Sequence, residues 1–311
     1  MFGGRAPVMA DDADLSTQIV DAMNKTWGVH PGFRANHAKG VVLEGSFTAS
    51  PAAAALSKAV IFNGAKIPVT VRFSGDTGIP TLPDGEPQAH GLSIKYHLPD
   101  GGESDMVTNA FRFFPVANGA DFRDMLTAIY ESPDGSPEPT KLEQFRATHP
   151  RMSAAMATLG RPDSFADEQY NGINAFVFVN KAGEKQAVRY RITPEKVVHL
   201  DAADAAKKSP DFLFEELPAR LSKGPITFHV RALLAQPGDQ TKDPTLPWPD
   251  DRKVVDLGVL SIDKIVPDSL AAQKRLLFLP GSLLDGIEQS DDPNIEVRDG
   301  AYAVSFSRRN P

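Results

Sequence analysis

Apolar and polar positions follow two different periods along this chain, and the alternation between the periods predicts its elements. Residues 11–28 carry apolar side chains at helical spacing, Ile19 and Met23 among them, behind an acidic first turn. Residues 119–130 and 141–159 show the same period. Each of these three segments is therefore predicted to be a helix.

Between and after these helices, short apolar runs with a period near two are typical of strands. The predicted strands are 41–47, 66–74, 91–98, 105–114, 175–180, 187–192, 226–234 and 254–262. The proline-rich segments 132–139 and 236–249 predict loops. Short strands joined late by helices predict an α+β fold, an antiparallel barrel with helical insertions. No repeat or boundary is visible, so we expect residues 1–311 to form one domain with a flexible N-terminus over residues 1–15.

Composition narrows the classes of partner. The 311 residues are 41% hydrophobic and 23% charged, as in ordinary globular proteins, and no apolar run is long enough to predict a membrane span. A net charge of −7 argues against a nucleic-acid partner. The absence of cysteine excludes disulfides, thiolate metal sites and thiol-based peroxide reduction.

The first ten residues bear on the compartment. They contain no apolar core of an intact signal peptide, although Val8 and Ala10 before Asp11 resemble the end of a cleavage site. We therefore expect a periplasmic protein if an export signal has been trimmed, and a cytoplasmic protein otherwise.

Two side chains far apart in the sequence suggest the two faces of a haem. Tyr302 follows Arg298 by four residues, so on a helix the guanidinium lies beside the phenol. A phenol with an ordinary pKa of about 10 needs a positive partner as well as the metal to bind iron as a phenolate. Upstream, His37 stands between Arg34 and Lys39. These cations would help to keep its imidazole neutral, and therefore able to act as a base.

Other residues are candidates for the iron ligand and for the base. Tyr190 lies between Arg189 and Arg191, but the strand period places both arginines on one face and Tyr190 on the other. His90, beside a glycine, is the next candidate base. A surface loop would explain His37 equally well from its local sequence, and an amphipathic terminal segment would explain Tyr302.

The order of several runs resembles that of the catalase family, and in particular its short members, the catalase-related peroxidases. The matching runs are Arg34-Ala-Asn-His37-Ala-Lys-Gly40, Val69-Thr-Val-Arg72-Phe-Ser74, His90-Gly-Leu-Ser-Ile-Lys-Tyr-His97, Asp105-Met-Val-Thr-Asn109-Ala-Phe-Arg-Phe113-Phe114 and Gly286-Ile-Glu-Gln-Ser-Asp-Asp292. They extend over most of the chain in the family's order.

The resemblance implies a role for each matched residue. It makes His37 the distal catalytic histidine, Asn109 the distal asparagine, and Ser74 the serine that hydrogen-bonds this histidine. Tyr302 would be the axial ligand of the iron of haem b, with Arg298 beside it. The arginines that would pair with the haem propionates, which a guanidinium can bind bidentately, are Arg34, Arg72 and Arg309. The phenylalanines that would line the distal side, or form ordinary core, are Phe113, Phe114 and Phe122.

The chain also departs from the family's pattern. Asn36 replaces a valine before the distal histidine, and Phe306 replaces a histidine four residues after the ligand tyrosine. The sequence stops at Pro311, so we expect a truncated C-terminal helical part and a more open haem pocket. We also expect a homo-oligomer, with a dimer as the predicted size.

The function implied is a haem peroxidase that reduces organic hydroperoxides, and hydrogen peroxide with weak catalase activity, through a ferryl intermediate and a small-molecule electron donor. One alternative is an isomerase of fatty-acid hydroperoxides similar to allene oxide synthase. Another is a haem-binding barrel without turnover. The presence of both His37 and Asn109 favours an enzyme, because a carrier needs only the iron ligand.

Overall fold

A closed antiparallel β-barrel forms the body of the protein in the computed structural model, which describes residues 10–310. The strands are β1 (Gly40–Ala49), β2 (Lys66–Ser74), β3 (Gly91–His97), β4 (Glu103–Asn109), β5 (Tyr170–Asn171), β6 (Phe176–Val179), β7 (Lys185–Pro194), β8 (Ile226–Leu234), β9 (Val254–Ile265) and β10 (Ile287–Gln289). The helices are α1 (Ala10–Trp27), α2 (Pro51–Leu56), α3 (Gly119–Tyr130), α4 (Lys141–Thr148), α5 (Arg151–Met156), α6 (Ala202–Ala205), α7 (Phe212–Glu215), α8 (Leu217–Leu221), α9 (Ser269–Arg275) and α10 (Asn294–Arg309).

The barrel closes through eight strands in the order β1-β2-β3-β4-β5-β7-β8-β9. Each neighbouring pair is antiparallel, and β9 pairs back with β1. Strands β6 and β10 extend outward from β7. This architecture confirms the α+β class and the antiparallel barrel expected from the strand pattern.

Strand alternation separates an apolar interior from a polar outer wall. Val71 and Phe73 of β2 point inward with Leu92 of β3, and all three are fully buried. Phe73 stacks on Phe165 with ring centroids 5.0 Å apart. Burying one such side chain stabilises the fold by about 1.5–3 kcal/mol. The intervening residues of β2, Arg72 among them, therefore face outward.

Two predicted elements end earlier than their patterns indicated. The strand predicted at 105–114 stops at Asn109, because the side-chain oxygen of Asn109 accepts a hydrogen bond from the backbone N–H of Phe111 (3.0 Å) and turns the chain. The helix predicted at 141–159 is two helices that break at His149 and Pro150, where proline cannot supply a helical N–H. The two-residue strand β5 and the short helices are too brief to show a period.

Helices α1, α3 and α10 pack together outside the barrel. Their shared apolar cluster includes Ile19, Leu126 and Val297, and Ser16 Oγ donates to the carbonyl of Val297 (3.1 Å). Helix α1 begins at Ala10, so residues 10–15 of the expected flexible terminus are helical. The rest of that expectation, and the Val8 part of the possible cleavage site, lie outside the described residues. Within residues 10–310, no helix is long and apolar enough to cross a membrane.

Candidate functional site

A cavity of about 650 Å³, measured to its open mouth, lies between the outer wall of the barrel and helix α10. Strands β2 and β3 form its floor, and residues 276–278 and α10 line it from other sides. The predicted site residues that line it are Arg34, His37, Arg72, Ser74, Tyr302 and Arg309. The fold thus brings both ends of the sequence to one place.

The backbone of His37 has an uncommon conformation. Its φ of +56° is in the left-handed region, which costs a residue with a side chain free energy and persists where the surroundings enforce it. The side-chain oxygen of Asn36 accepts the N–H of His37 (2.9 Å), and Arg72 donates to the carbonyl of His37 (2.7 Å). Both backbone groups of His37 are therefore fixed by side chains.

The imidazole of His37 is held by one of its two nitrogens. Nδ1 lies 2.6 Å from the carbonyl oxygen of Gly75 and 3.2 Å from Ser74 Oγ. A carbonyl can only accept, so Nδ1 carries the proton of the neutral ring, and Nε2 is left as the proton acceptor. The predicted contact between Ser74 and His37 is present.

Strand register puts Asn109 in the same row. Ser74 pairs with Gly91, and Gly91 pairs with Asn109 on the next strand. Gly91 leaves space for the histidine, because a methyl group there would come within 3.3 Å of His37 Nδ1 and 2.9 Å of Ser74 Oγ. Asn109 does not line the cavity directly. The side-chain oxygen of Asn109 accepts the hydrogen bond from the backbone N–H of Phe111, so Nδ2 is the side-chain atom that can donate a hydrogen bond.

The surroundings keep the imidazole neutral. The pKa of His37 is lowered from 6.5 to about 4. Burial is the largest cause, the nearby charges of Arg72, Arg298 and Arg34 act in the same direction, and the hydrogen bond to Gly75 opposes them. The expected contribution of Arg34 is thus present. That expected of Lys39 was wrong, because Lys39, which directly precedes β1, forms ion pairs with Asp84 and Asp211, both at 2.6 Å.

Tyr302 and Arg298 occupy one face of α10, as their spacing predicted. Arg298 Nη2 donates to Tyr302 Oη at 3.0 Å, and its other end donates to Asn174. A guanidinium at that distance stabilises a phenolate. Tyr190 lies instead inside the barrel, where burial raises the pKa of its phenol, so an anion there is disfavoured.

Three arginines meet in the cavity without a carboxylate among the described residues. Burial is the main cause that lowers the pKa of Arg34 below its usual range and that of Arg72 to about 9, and repulsion between the arginines acts in the same direction. Burial also lowers the pKa of Arg309 to about 10. Arg34 and Arg309 both donate to the carbonyl of Leu276 (2.7 Å), and Arg72 donates to the side chain of Gln273. Concentrated buried positive charge of this kind fits a ligand that carries carboxylates.

The three predicted phenylalanines lie together but away from the cavity wall. Phe114 packs on Phe122 with ring centroids 5.6 Å apart, and Phe113 packs beside Phe111 and Ala155. In this structure they are half-buried and pack against small apolar clusters near α3 and α5.

Sequence reasoning missed four residues that position the others. Gly75 and Leu276 act through backbone carbonyls, which no side-chain pattern reveals. Gln273 and Asn174 hold Arg72 and Arg298, and as neutral amides they carry no signal of their own in one sequence.

The chain belongs to the catalase family, whose model matches residues 5–310. Within it, the chain falls with the short, catalase-related members. It is 36% identical to a catalase-related peroxidase of Mycolicibacterium paratuberculosis, over 94% of either chain. It is 34% identical to one from Synechococcus elongatus, over 94% of this chain and 88% of the relative.

Solved structures show the same fold. A bacterial catalase superposes with a TM-score of 0.79 at 21% identity, over 99% of this chain and 62% of that one. A fungal catalase gives the same TM-score at 18% identity, over 99% of this chain and 65% of the fungal chain. The protein is therefore a haem-dependent oxidoreductase that acts on peroxide, with a peroxidase- or catalase-type function.

The residues present fit a haem. The cavity carries an arginine cluster that would suit two propionates, and Tyr302, with the hydrogen bond from Arg298, presents a phenol oxygen that could bind iron.

Proposed function

We propose that the protein is a haem b peroxidase that reduces organic hydroperoxides, and hydrogen peroxide more slowly. The observation that carries this proposal is that a neutral histidine and an arginine-supported tyrosine line one cavity. Apolar side chains such as Met23, Leu277 and Phe278 line the same cavity, which suits the carbon chain of an organic hydroperoxide.

Tyr302 would hold the iron, and Arg34, Arg72 and Arg309 would hold the propionates. When bound, the haem supplies the iron at which the peroxide O–O bond is cleaved and the oxidising equivalents are stored. The positive charge of Arg298 would keep the oxygen of Tyr302 anionic while Asn174 fixes the guanidinium.

His37 would move the proton. Its unprotonated Nε2 would take a proton from the inner peroxide oxygen and return it to the outer oxygen, so that the leaving group departs as neutral alcohol. The carbonyl of Gly75 keeps the proton of the resting ring on Nδ1, which leaves Nε2 free for this transfer. Asn109 Nδ2 would orient the peroxide by donating a hydrogen bond.

A product assay tests this function. The haem-loaded protein is given cumene hydroperoxide with and without guaiacol, and the alcohol formed and the dye oxidised are both measured. We expect one alcohol per two oxidised donor molecules, and turnover that needs the donor. Consumption of a fatty-acid hydroperoxide without donor would favour the isomerase instead. Weak catalase activity would give slow oxygen release from hydrogen peroxide, whereas oxygen release faster than donor oxidation would favour a catalase.

The homodimer remains a prediction. Light scattering of the haem-loaded protein would give its mass, and a monomer or a tetramer would contradict the expected size.

A further inference from the structure

The carbonyl oxygen of Gly75 decides which nitrogen of His37 carries the proton, because it lies 2.6 Å from Nδ1. Gly75 follows the last residue of β2, so it lies beyond the ladder in which Ser74 pairs with Gly91. Strand pairing therefore does not orient this carbonyl. Its direction depends on the peptide group that joins Gly75 to Asp76, and on the contacts made by the N–H at the other end of that group.

Two side-chain oxygens face the N–H of Asp76. Oε1 of Gln88 accepts from it at 3.3 Å, and the carboxylate of Asp76 accepts from it as well. The same carboxylate accepts the N–H of Ala89 through Oδ2, at 2.8 Å. Asp76 thereby joins the end of β2, which holds Nδ1 of His37, to the segment that enters β3 beside the same ring.

The carboxylate of Asp76 is ionised without a cation to balance it. Burial raises the pKa of Asp76 from 3.8 to about 6, its hydrogen bonds with the N–H groups of Ala89 and of its own residue oppose the rise, and no charged side chain within residues 10–310 contributes. An asparagine could accept the same N–H without the cost of a desolvated charge. A carboxylate kept at such a cost is a candidate for a functional group.

The segments around Asp76 carry other groups that could titrate, namely His37, Lys39, Arg72, Asp84, Glu86, His90 and Arg161. The two histidines are neutral at about pH 6, because their pKa values are about 4 and about 3. The three cations donate to other partners, and Glu86 is exposed. Burial also raises the pKa of Asp84, but its bonds with Lys39 oppose the rise, so Asp84 is the matched comparison for Asp76.

We propose that Asp76 is a positioning residue for the distal base, and that its ionised carboxylate acts on His37 through the peptide group between Gly75 and Asp76. The inference rests on the proposed peroxidase function. A negative charge at the N–H end of a peptide group polarises the group, so its carbonyl oxygen becomes a stronger acceptor. The carbonyl of Gly75 would then hold the proton on Nδ1 more firmly, which makes Nε2 a better acceptor for the proton of the peroxide.

The pH dependence of two reactions of the haem-loaded protein tests this role. One is the reaction with a peracid, and the other is the association of hydrogen cyanide with ferric haem, followed by the Soret band. Each reagent must give a proton to the distal base, and each stays in its neutral form between about pH 5 and about pH 7. We expect both rates to fall about three- to tenfold as the pH falls through about 6, because a charge-assisted hydrogen bond becomes a neutral one.

Three variants assign this fall in rate to one carboxylate. Asp76→Asn keeps an acceptor but does not titrate, so both rates should stay at the low-pH level of the parent throughout the range. Asp76→Ala should be slower than Asp76→Asn at every pH, because it also leaves the N–H of Ala89 without its acceptor. Asp84→Asn should keep the fall near pH 6.

A parent profile that is flat down to about pH 5 would overturn the inference, even if Asp76→Asn fails to fold. The same conclusion would follow if Asp76→Asn kept the fall in rate or if Asp84→Asn removed it. A parent that reacts with neither peracid nor hydroperoxide at any pH would instead contradict the proposed function. Cyanide association would then still show whether Asp76 acts on the distal base.

Discussion

The interior of the barrel and the cavity on its outer wall contain the same kinds of side chain but give them opposite chemistry. Inside, Tyr96, Tyr170 and Tyr190 are surrounded by apolar residues, and burial raises the pKa of each phenol. Outside, Tyr302 receives a hydrogen bond from Arg298. Strands β2 and β3 contribute to both regions, because their alternate residues face opposite ways, and α10 adds Tyr302 to the outer one.

The difference shows that function here depends on which face of a strand a residue occupies. Phe73 and Arg72 are neighbours in sequence, yet one packs in the apolar core and the other joins the arginine cluster. The interior supplies rigidity, and the outer wall uses that rigidity to hold buried charges near one another.

The largest effect is expected at the tyrosines. Tyr302→Phe should remove the iron ligand, so stable haem binding and peroxide turnover should both be lost. Tyr190→Phe, in the barrel interior, is the matched control and should keep both. Haem content after gel filtration and turnover with cumene hydroperoxide measure the two variants. Normal haem and activity in Tyr302→Phe would place the ligand elsewhere.

Removing the distal base should have the next largest effect. His37→Ala should keep haem but slow its reaction with a peracid by roughly 10²–10⁴, the usual contribution of a positioned acid–base group. Rapid-mixing spectroscopy follows the reaction. A rate equal to that of the parent would exclude His37 as the base and direct attention to His90.

His90 is a buried polar side chain, and replacing it measures how well the fold tolerates that polarity. Neither ring nitrogen has a partner among the described residues, and burial lowers the pKa of His90 from 6.5 to about 3. In the unfolded chain this histidine gains a proton below about pH 6.5, whereas in the folded chain it stays unprotonated until about pH 3. Protonation therefore favours the unfolded chain, and this histidine destabilises the fold as pH falls.

His90→Leu should remove that dependence. The free energy of unfolding of His90→Leu, relative to that of the parent, should rise by about 1.4 kcal/mol for each pH unit below about pH 6.5. Urea unfolding at about pH 7 and about pH 5 compares the two proteins. A constant difference between the two pH values would show that His90 is not the group that titrates.

The smallest effect is expected at Asn36. Asn36→Ala removes the acceptor for the N–H of His37 and should slow hydroperoxide turnover about two- to tenfold, the equivalent of one neutral hydrogen bond. Asn36→Asp keeps an acceptor and should retain most activity. Equal losses of activity in Asn36→Ala and Asn36→Asp would mean that the side chain of Asn36 acts within the cavity, and not by holding the backbone N–H of His37.

Much of this arrangement could be predicted from the sequence, for reasons specific to each part. The period of two placed Tyr190 and its flanking arginines on opposite faces of a strand, and the four-residue spacing placed Arg298 beside Tyr302. The matched runs predicted the contact between His37 and Ser74. These features depend on local geometry or on the order of short motifs, which one sequence contains.

Other features arise only from tertiary contact. The left-handed backbone of His37 requires side chains from Asn36 and Arg72, and the carbonyl of Leu276 accepts from Arg34 and Arg309. Lys39 looked like a neighbour of the base but pairs with Asp84 and Asp211.

Resonance Raman spectroscopy of the haem-loaded protein reports the atom bound to the iron, and so tests whether Tyr302 is the axial ligand. We predict iron–phenolate bands in the parent and in Tyr190→Phe, together with their loss in Tyr302→Phe. A parent spectrum that shows histidine or water as the axial ligand, with no phenolate bands, would contradict the assignment of this cavity as a haem site built on Tyr302.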